Sequence, residues 1–254
     1  PFILLGIVLL ILLAAGFLYS IGGRLFPVFG LYPPEIDVAA FSKLEASDYT
    51  KITKTENSVH EGDLILVNKD YPLPNKESTP LVCVYDKKNN MYKVKDTEVT
   101  LSEHVMEPFN RMLEGFYNVT GIHDVNLLSG YRSSKEQAEL IEEKGQELRL
   151  QDLSQVAAAP TQSEHETGLA VDLGIYTDMG IAQNFIGQGK YRWIHENAAY
   201  FGFILRYPED KTSVTGYSYE PWHFRYVGEV HAAIMEANNF CLEEYLLYLK
   251  EFPF

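Results

Sequence analysis

The first hydrophobic segment of the chain is long and uninterrupted. Residues 2–21 read FILLGIVLLILLAAGFLYSI, and the first charged side chain is Arg24. A helix needs about 20 apolar residues to cross a bilayer, whereas a core helix of a soluble domain carries polar residues on its outer face. The pattern therefore predicts a transmembrane anchor over residues 1–23. A cleaved signal peptide is the alternative, although its apolar region usually has only about 7–15 residues.

The next segment, residues 24–59, mixes prolines and polar residues with weak periodicity. Because neither a helical nor a strand period is sustained there, the pattern predicts a tether. Whether the first segment is an anchor or a signal, the rest of the chain is expected to be exported. Residues 60–254 are then long enough for one globular domain.

Short apolar runs within residues 60–254 predict strands. Residues 63–68 and 125–129 each form one such run. The runs 81–85 and 91–95 flank the polar sequence DKKNN, which predicts a β-hairpin. The segment 168–173 alternates small or acidic residues with apolar ones, so it predicts a strand with one face in the core.

Helical periodicity occupies much of the remaining sequence. Ser102 is positioned to cap a helix that reaches Tyr117, and Ser133 or Ser134 is positioned to cap one that reaches Glu147. The inner side of this second helix is predicted to carry Ala138, Leu140 and Ile141. Further predicted helices lie at 190–201, where His195 is interpreted as structural, and at 229–238 and 241–251. Strands with helices between and after them indicate one α+β domain.

Composition excludes several functional classes. The 35 Asp and Glu residues outnumber the 21 Lys and Arg residues and give a net charge of −14, whereas a nucleic-acid binder needs a basic surface. No nucleic-acid partner is therefore expected. Two cysteines in 254 residues exclude a disulfide-dense scaffold and a cysteine-rich zinc finger.

The segment SEHETGLAVDL, which begins at Ser163, brings together residues suited to a metal. Gly168, Ala170 and Asp172 share one face of the predicted strand, and His165 stands before the strand begins. The small side chains on that face would leave room for a ligand above the sheet. Histidine and aspartate are both zinc ligands in proteins, so the segment predicts two ligands of a zinc site.

A second segment, YEPWHFRYVG, adds a third ligand and a base. His223 can complete a three-residue zinc site, which leaves one position open for water, as in catalytic sites. Glu220 precedes it by three residues, and Pro221 between them restricts the backbone. A glutamate there can take a proton from the water and later return it to a leaving amine.

A third segment, SGYRSSKEQ, adds a cation. Arg132 lies where the predicted strand 125–129 turns into a helix, and a guanidinium there could bind a carboxylate or a developing oxyanion. Gln137, one helical turn later, could reach the same pocket. The chain has no HExxH and no GxSxG sequence, so neither a thermolysin-like site nor a serine nucleophile of that type is supported.

The patterns S-x-H-x-x-G-x-A-x-D and E-x-W-H, with Y-R-S upstream, resemble the VanY-type D-alanyl-D-alanine carboxypeptidases, which are LAS zinc metallopeptidases. The resemblance runs from about Asp63 to Gly228. It implies a small antiparallel sheet that carries the zinc site, with helices around it. It also implies roles for individual residues: His165, Asp172 and His223 as Zn²⁺ ligands, Glu220 as catalytic base, and Arg132, Gln137, Ser163, Tyr207 and Trp222 at the substrate.

The resemblance further implies a substrate, the stem peptide of bacterial peptidoglycan, from which the enzyme would remove a C-terminal D-Ala. Family members differ between D,D cleavage of pentapeptides and L,D cleavage of tetrapeptides, and the motifs do not decide between them, although D,D cleavage is favoured. An anchor in the bacterial cell membrane, with the domain on the extracytoplasmic side, would place the enzyme beside this substrate.

Two other functional classes stay open at this point. An endopeptidase or amidase on the same scaffold would need an open cleft, whereas Arg132 favours a clamp on a terminal carboxylate. A wall-binding module that keeps zinc without catalysis would not need Glu220. Both residues therefore favour a carboxypeptidase.

Overall fold

The computed structural model describes residues 62–73, 80–148, 158–177 and 182–251. The predicted anchor over 1–23 and the tether over 24–59 lie outside these ranges. Among the helices within them, none has the length and apolar character needed to cross a membrane. All of the described residues belong to the predicted domain 60–254.

The strands are short and form two sheets. In chain order they are β1 Leu81–Cys83, β2 Lys93–Val94, β3 Thr100–Ser102, β4 Val125–Ser129, β5 Ala170–Tyr176, β6 Ala182–Asn184, β7 Phe203–Leu205 and β8 His223–Tyr226. The larger sheet has the order β2-β4-β5-β8-β7, with β6 also paired to β5. Among the described pairs only β2 and β4 run parallel, and β1 and β3 form a separate antiparallel pair.

The helices surround the larger sheet. They are α1 Val84–Lys87, α2 Met106–Thr120, α3 Ser134–Leu148, α4 Arg192–Asn197, α5 Thr212–Thr215, α6 Glu229–Asn238 and α7 Leu242–Glu251. Single 3₁₀ turns occur at Gly62–Leu64, Glu103–Val105, Glu164–Thr167, Gly189–Tyr191, Ala198–Phe201 and Glu209–Lys211. The α+β prediction is confirmed, and the sheet is antiparallel apart from the β2–β4 pair.

Two hydrophobic clusters cover opposite sides of β7. Phe203 belongs to the cluster formed with α2, where Phe109 and Phe116 are fully buried. Its neighbour Ile204 belongs to a second cluster, which includes Leu242 and Tyr245 of the C-terminal helix α7. Since successive strand residues point to opposite faces, the C-terminal helices pack on the side of β7 that faces away from α2.

The predicted β-hairpin at 81–95 is wrong. Strand β1 ends at Cys83 and continues directly into the short helix α1, and the amide of Val84 bonds the distant carbonyl of Val99. Strand β1 pairs with β3, and β2 pairs in parallel with β4. Partners that are distant in sequence have replaced the local pairing that the polar turn suggested.

The predicted strand at 63–68 is also wrong. Leu64 and Val67 are buried, but the segment is a 3₁₀ turn followed by irregular chain. The Arg225 guanidinium donates to the carbonyls of Asp63 and Ile65, at 3.0 and 2.7 Å. A buried arginine therefore satisfies backbone groups that a sheet would otherwise pair.

Other helix predictions are confirmed or corrected in detail. Ser102 ends β3 and its hydroxyl bonds Nδ1 of His104, so it does not cap α2. Ser133 exchanges bonds with Glu136 in the arrangement of a capping box at the start of α3. Ala138 of that helix is exposed rather than inward. Instead of one helix over 190–201, the chain forms α4 between two 3₁₀ turns.

Candidate active site

Three side chains with metal-ligating atoms converge at the middle of the larger sheet. The ligand atoms of His165, Asp172 and His223 all lie within 4.8 Å of one another. Oδ2 of Asp172 is 3.1 Å from Nε2 of His165, and its Oδ1 is 2.9 Å from Nδ1 of His223. One carboxylate therefore lies between two imidazoles.

Strand register and one glycine produce this arrangement. Asp172 on β5 is directly opposite His223 on β8, so their side chains share one face of the sheet. His165 lies in the 3₁₀ turn that precedes β5, and Gly168 ends that turn with φ +73°. A Cβ atom at Gly168 would also lie only 3.1 Å from the side chain of Leu81. Only glycine fits both requirements without strain.

The other contacts of the two imidazoles leave one ring nitrogen of each facing Asp172. Nδ1 of His165 lies 2.7 Å from the carbonyl of Gly130, which can only accept, so Nδ1 carries the hydrogen and Nε2 presents its lone pair. Nε2 of His223 faces Glu164 at 3.5 Å, which leaves Nδ1 of His223 for a ligand role. Two such nitrogens and one carboxylate fit Zn²⁺.

The electrostatics of the cluster also suit a cation. Burial would raise the pKa of Asp172, but the two imidazoles hold it well below its usual range. Burial would lower the pKa of His223, but its bonds to Asp172 and Glu164 raise that pKa to about 10. A metal ion at Nδ1 would take the place of this proton.

Glu164 is a charged residue of the site that sequence reasoning missed. Its fully buried carboxylate accepts from Nε of Arg206 at 2.7 Å and from Nη1 of Arg225 at 2.8 Å. Burial would raise the pKa of Glu164, but the two guanidinium groups hold it well below its usual range. An ionised carboxylate therefore lies next to Nε2 of His223, the ring nitrogen that faces away from Asp172. The sequence did contain a signal for such a residue, since Arg206 and Arg225 both stand within apolar runs. A buried arginine requires an anionic partner, so these two positions predict a buried carboxylate.

Glu220 lies beside the three ligands. Its Oε2 is 3.9 Å from Nδ1 of His223, and its side chain is 22% exposed. The Glu220 amide donates to the carbonyl of Tyr207, and the Glu220 carbonyl accepts from the amide of His223. Burial raises the pKa of the Glu220 carboxyl, more than the nearby His223 lowers it. The position and the raised pKa both suit a proton-transfer group.

His195 supports this loop, in agreement with the structural role predicted for it. Its Nε2 lies 2.7 Å from the carbonyl of Pro221, next to Glu220. The His195 ring packs against Phe185 and Phe224, with centroid distances of 5.4 Å to both. Burial lowers the pKa of His195, which favours the neutral ring as the donor to this carbonyl.

Arg132 lines the same pocket, and hydrogen bonds to neighbouring side chains fix its guanidinium. Its Nη1 donates to Oε1 of Gln137 at 2.8 Å, and its Nη2 donates to the hydroxyl of Ser129 at 2.7 Å. Gln137 in turn donates to the carbonyl of Ala158, so both ends of its amide bind protein groups. These bonds use two of the five N–H groups of Arg132 and leave the others for a carboxylate. The structure therefore places Gln137 as a support for Arg132.

The other predicted residues form the walls. Tyr207 is buried, with its ring 5.0 Å from that of His223 and 4.7 Å from that of Tyr217. The hydroxyl of Tyr217 is buried and has no hydrogen-bond partner among the residues that the structure describes. Sequence reasoning did not single out this tyrosine. The pocket as a whole is lined by Arg132, Gln137, Leu140, Lys144, Ala158, Ser163, Glu164, His165, Asp172, Tyr207, Tyr217, Glu220, Trp222 and His223.

Comparisons with known proteins agree on one family. Residues 98–229, slightly more than half of the chain, match the family model described as VanY, D-alanyl-D-alanine carboxypeptidase. A D-alanyl-D-alanine carboxypeptidase of Enterococcus faecium is 41% identical over 203 residues. The aligned region covers 78% of this chain and 62% of that protein, so the chain spans less than two thirds of the relative's length.

Solved structures share the fold. A mutant of the vancomycin resistance D,D-pentapeptidase VanY, in complex with Zn(II), matches with a TM-score of 0.60 and 32% identity over 73% of this chain and 99% of that one. The LD-carboxypeptidase LdcB matches with a TM-score of 0.61 and 30% identity, over 72% and 84%. Residues 98–229 include His165, Asp172 and His223 and every strand of the larger sheet except β2. The chain therefore belongs to the VanY family of D-alanyl-D-alanine carboxypeptidases.

Proposed function

We propose that this protein is a zinc-dependent D-alanyl-D-alanine carboxypeptidase that removes the C-terminal D-Ala from peptidoglycan stem peptides. The observation that carries the proposal is the placement of Arg132 in the same pocket as Glu220 and the three ligand residues. A cation there can bind the free carboxylate of a peptide terminus. The name of the Enterococcus faecium relative, D-alanyl-D-alanine carboxypeptidase, supports the same reaction.

Metal binding and proton transfer are assigned to different residues of the pocket. His165, Asp172 and His223 would hold zinc, which when bound polarises a carbonyl and lowers the pKa of water to roughly 7. Glu220 takes the proton of the attacking water as the new C–O bond forms at the scissile carbonyl. It then delivers the proton to the amine of D-Ala as the C–N bond breaks.

Substrate selection depends on other residues that line the same pocket. Arg132 binds the terminal carboxylate, Gln137 and Ser129 fix its guanidinium, and the rings of Tyr207 and Trp222 line the space around the D-Ala side chain. Ser163, buried at the start of the turn that carries His165, lies against the peptide. A carboxylate clamp restricts cleavage to chain ends, which distinguishes this site from that of an endopeptidase.

The cellular location is part of the proposal. The apolar run at residues 2–21 has the length of a bilayer-spanning helix. Anchored by this helix, with the residues after it on the extracytoplasmic side, the enzyme would meet peptidoglycan at the outer surface of the bacterial cell membrane. Fusion of a reporter enzyme after residue 60 tests this: activity in whole cells supports export, and activity only after lysis contradicts it.

L,D-carboxypeptidase activity on tetrapeptide stems is the second candidate. It is favoured by the likeness to LdcB, which has a TM-score close to that of the VanY structure. Both reactions use the same ligand residues, base and clamp. They differ in the residue that precedes the D-Ala to be removed.

Digestion of purified muropeptides by the full chain in detergent distinguishes the candidates. Mass spectrometry is expected to show loss of one D-Ala from pentapeptides, with tetrapeptides unchanged. Loss of D-Ala from tetrapeptides alone would favour the L,D candidate. If neither peptide is shortened by the zinc-loaded protein, then the carboxypeptidase proposal fails and a wall-binding role gains support.

The carboxylate clamp predicts a specific phenotype for Arg132→Ala. We expect kcat/KM on peptides with a free C-terminus to fall by about 10–100-fold, because a hydrogen bond to a charged group contributes about 1.5–3 kcal/mol. The exposed Arg192 offers a control, and Arg192→Ala should leave kcat/KM unchanged. Equal cleavage of free and amidated C-termini by both the wild type and Arg132→Ala would rule out the clamp.

A further inference from the structure

The C-terminal helix α7 reaches toward the metal-ligand cluster through one carboxylate. Glu243, in the first turn of α7, accepts from Nη1 of Arg206 at 2.8 Å and from Nη2 at 2.7 Å. The Arg206 side chain is fully buried and that of Glu243 is only 12% exposed. Two parallel bonds of this kind fix the plane of a guanidinium as well as its position.

Fixing that plane also fixes the third donor of Arg206. Its Nε donates to Oε1 of Glu164 at 2.7 Å, and because a guanidinium is planar, the direction of this N–H follows from the clamp on the other two nitrogens. The other oxygen of Glu164 faces Nε2 of His223 at 3.5 Å. A continuous line of charged contacts therefore runs from α7 to a metal-ligand residue.

A second set of contacts connects Arg206 to His223, through the ring of Tyr207. The guanidinium of Arg206 lies 4.8 Å from the ring centroid of Tyr207. The Tyr207 ring lies 5.0 Å from the imidazole of His223, with 32° between the two planes. Arg206 is therefore linked to His223 in two ways, through the carboxylate of Glu164 and through the ring of Tyr207.

The charges of this network balance only when Glu243 is included. Arg206 and Arg225 face the two carboxylates of Glu164 and Glu243, and both guanidinium groups are fully buried. Both guanidiniums donate to Oε1 of Glu164, so without Glu243 two buried cations would share a single carboxylate. Arg206 would also lose the two bonds that fix its plane, and with them the fixed direction of its bond to Glu164.

Glu243 also lies outside residues 98–229, which match the family model. We propose that Glu243 is a positioning residue for the metal ligand His223, acting through Arg206 and Glu164. The proposal rests on the proposed function only through its metal site. Measurement of metal binding without any substrate therefore tests it separately from catalysis.

The test is Glu243→Gln in the full chain, with the Zn²⁺ Kd measured by competition with a chromogenic chelator. Partners that orient metal ligands typically contribute 10–100-fold to affinity or activity, and we expect about 10-fold weaker binding here. The visible absorption of the Co²⁺-substituted protein should change as well, because the His223 ring is reoriented. A change in packing alone would lower Tm but would leave this spectrum as in the wild type.

Glu244→Gln is the matched control on the same helical turn. Glu244 bonds Lys211 and the amide of Cys241, away from the network, so its replacement should leave the Zn²⁺ Kd unchanged. Glu243→Asp, which keeps the charge but is one methylene shorter, serves as a second variant. Wild-type Zn²⁺ affinity and Co²⁺ spectrum in either folded Glu243 variant would overturn the proposal. A wild type that binds zinc but hydrolyses no stem peptide would contradict the proposed function and leave the positioning role standing.

Discussion

Glu220→Gln is expected to lower hydrolysis of D-Ala-terminated peptides by about 10²–10⁴-fold, the usual contribution of a general acid–base group. Glutamine has nearly the same shape but cannot accept the proton of water. Since the Glu220 carboxylate is 3.9 Å from Nδ1 of His223 and is not one of the three clustered ligands, Zn²⁺ should stay bound. Steady-state kinetics on a D-Ala-terminated peptide, together with zinc analysis of the same sample, would measure both effects.

The exposed Glu209, in the 3₁₀ turn that follows Tyr207, provides a control for the loss of one negative charge outside the pocket. Glu209→Gln should retain wild-type turnover. Unchanged turnover in Glu220→Gln would remove this carboxylate from the mechanism. Lost activity together with lost zinc would instead assign it to the metal site.

Arg206→Met is expected to destabilise the protein by about 3–5 kcal/mol, the cost of breaking a buried ion pair by removing one partner. The substitution leaves Arg225 as the one guanidinium partner of Glu164 among the described residues, and it leaves Glu243 without its two shortest bonds. Methionine fills much of the volume, so the loss would be mainly electrostatic. Denaturant unfolding should be measured in the presence of a chelator, because bound metal would add its own stabilisation.

Arg111 allows a matched comparison at the surface. It pairs with Glu107 and Glu229, and its side chain is 38% exposed. Arg111→Met should therefore change the free energy of unfolding by no more than about 1 kcal/mol. Equal destabilisation by both substitutions would contradict the view that the buried network holds the site together.

Local patterns predicted the elements whose partners are close in sequence or whose period is clear. Strand β4 lies at the predicted residues, α6 coincides with the prediction for 229–238, and Ser133 caps α3. The hairpin at 81–95 failed because strand pairing depends on which edges are available in three dimensions. The buried segment at 63–68 failed because the side chain of Arg225 binds its carbonyls.

The candidate site likewise has features that the sequence predicts and features that depend on the tertiary structure. Three short motifs contain the predicted ligands, base and clamp: His165, Asp172, His223, Glu220 and Arg132. The chemistry of these side chains could be inferred from the sequence. Their convergence depends on the β5–β8 register, which sets Asp172 opposite His223. That register follows from packing of the whole sheet.

By itself, the sequence determined the family and the α+β class, and it predicted the metal ligands, the base and the carboxylate clamp, because these depend on residue types at short spacings. Only the tertiary structure decided that Glu164 stands behind His223 and that Glu243 of the last helix is joined to it through Arg206. Glu164, Arg206 and Glu243 are far apart in sequence. A buried charge is stable only beside its opposite, and folding alone determines which opposite charge lies there.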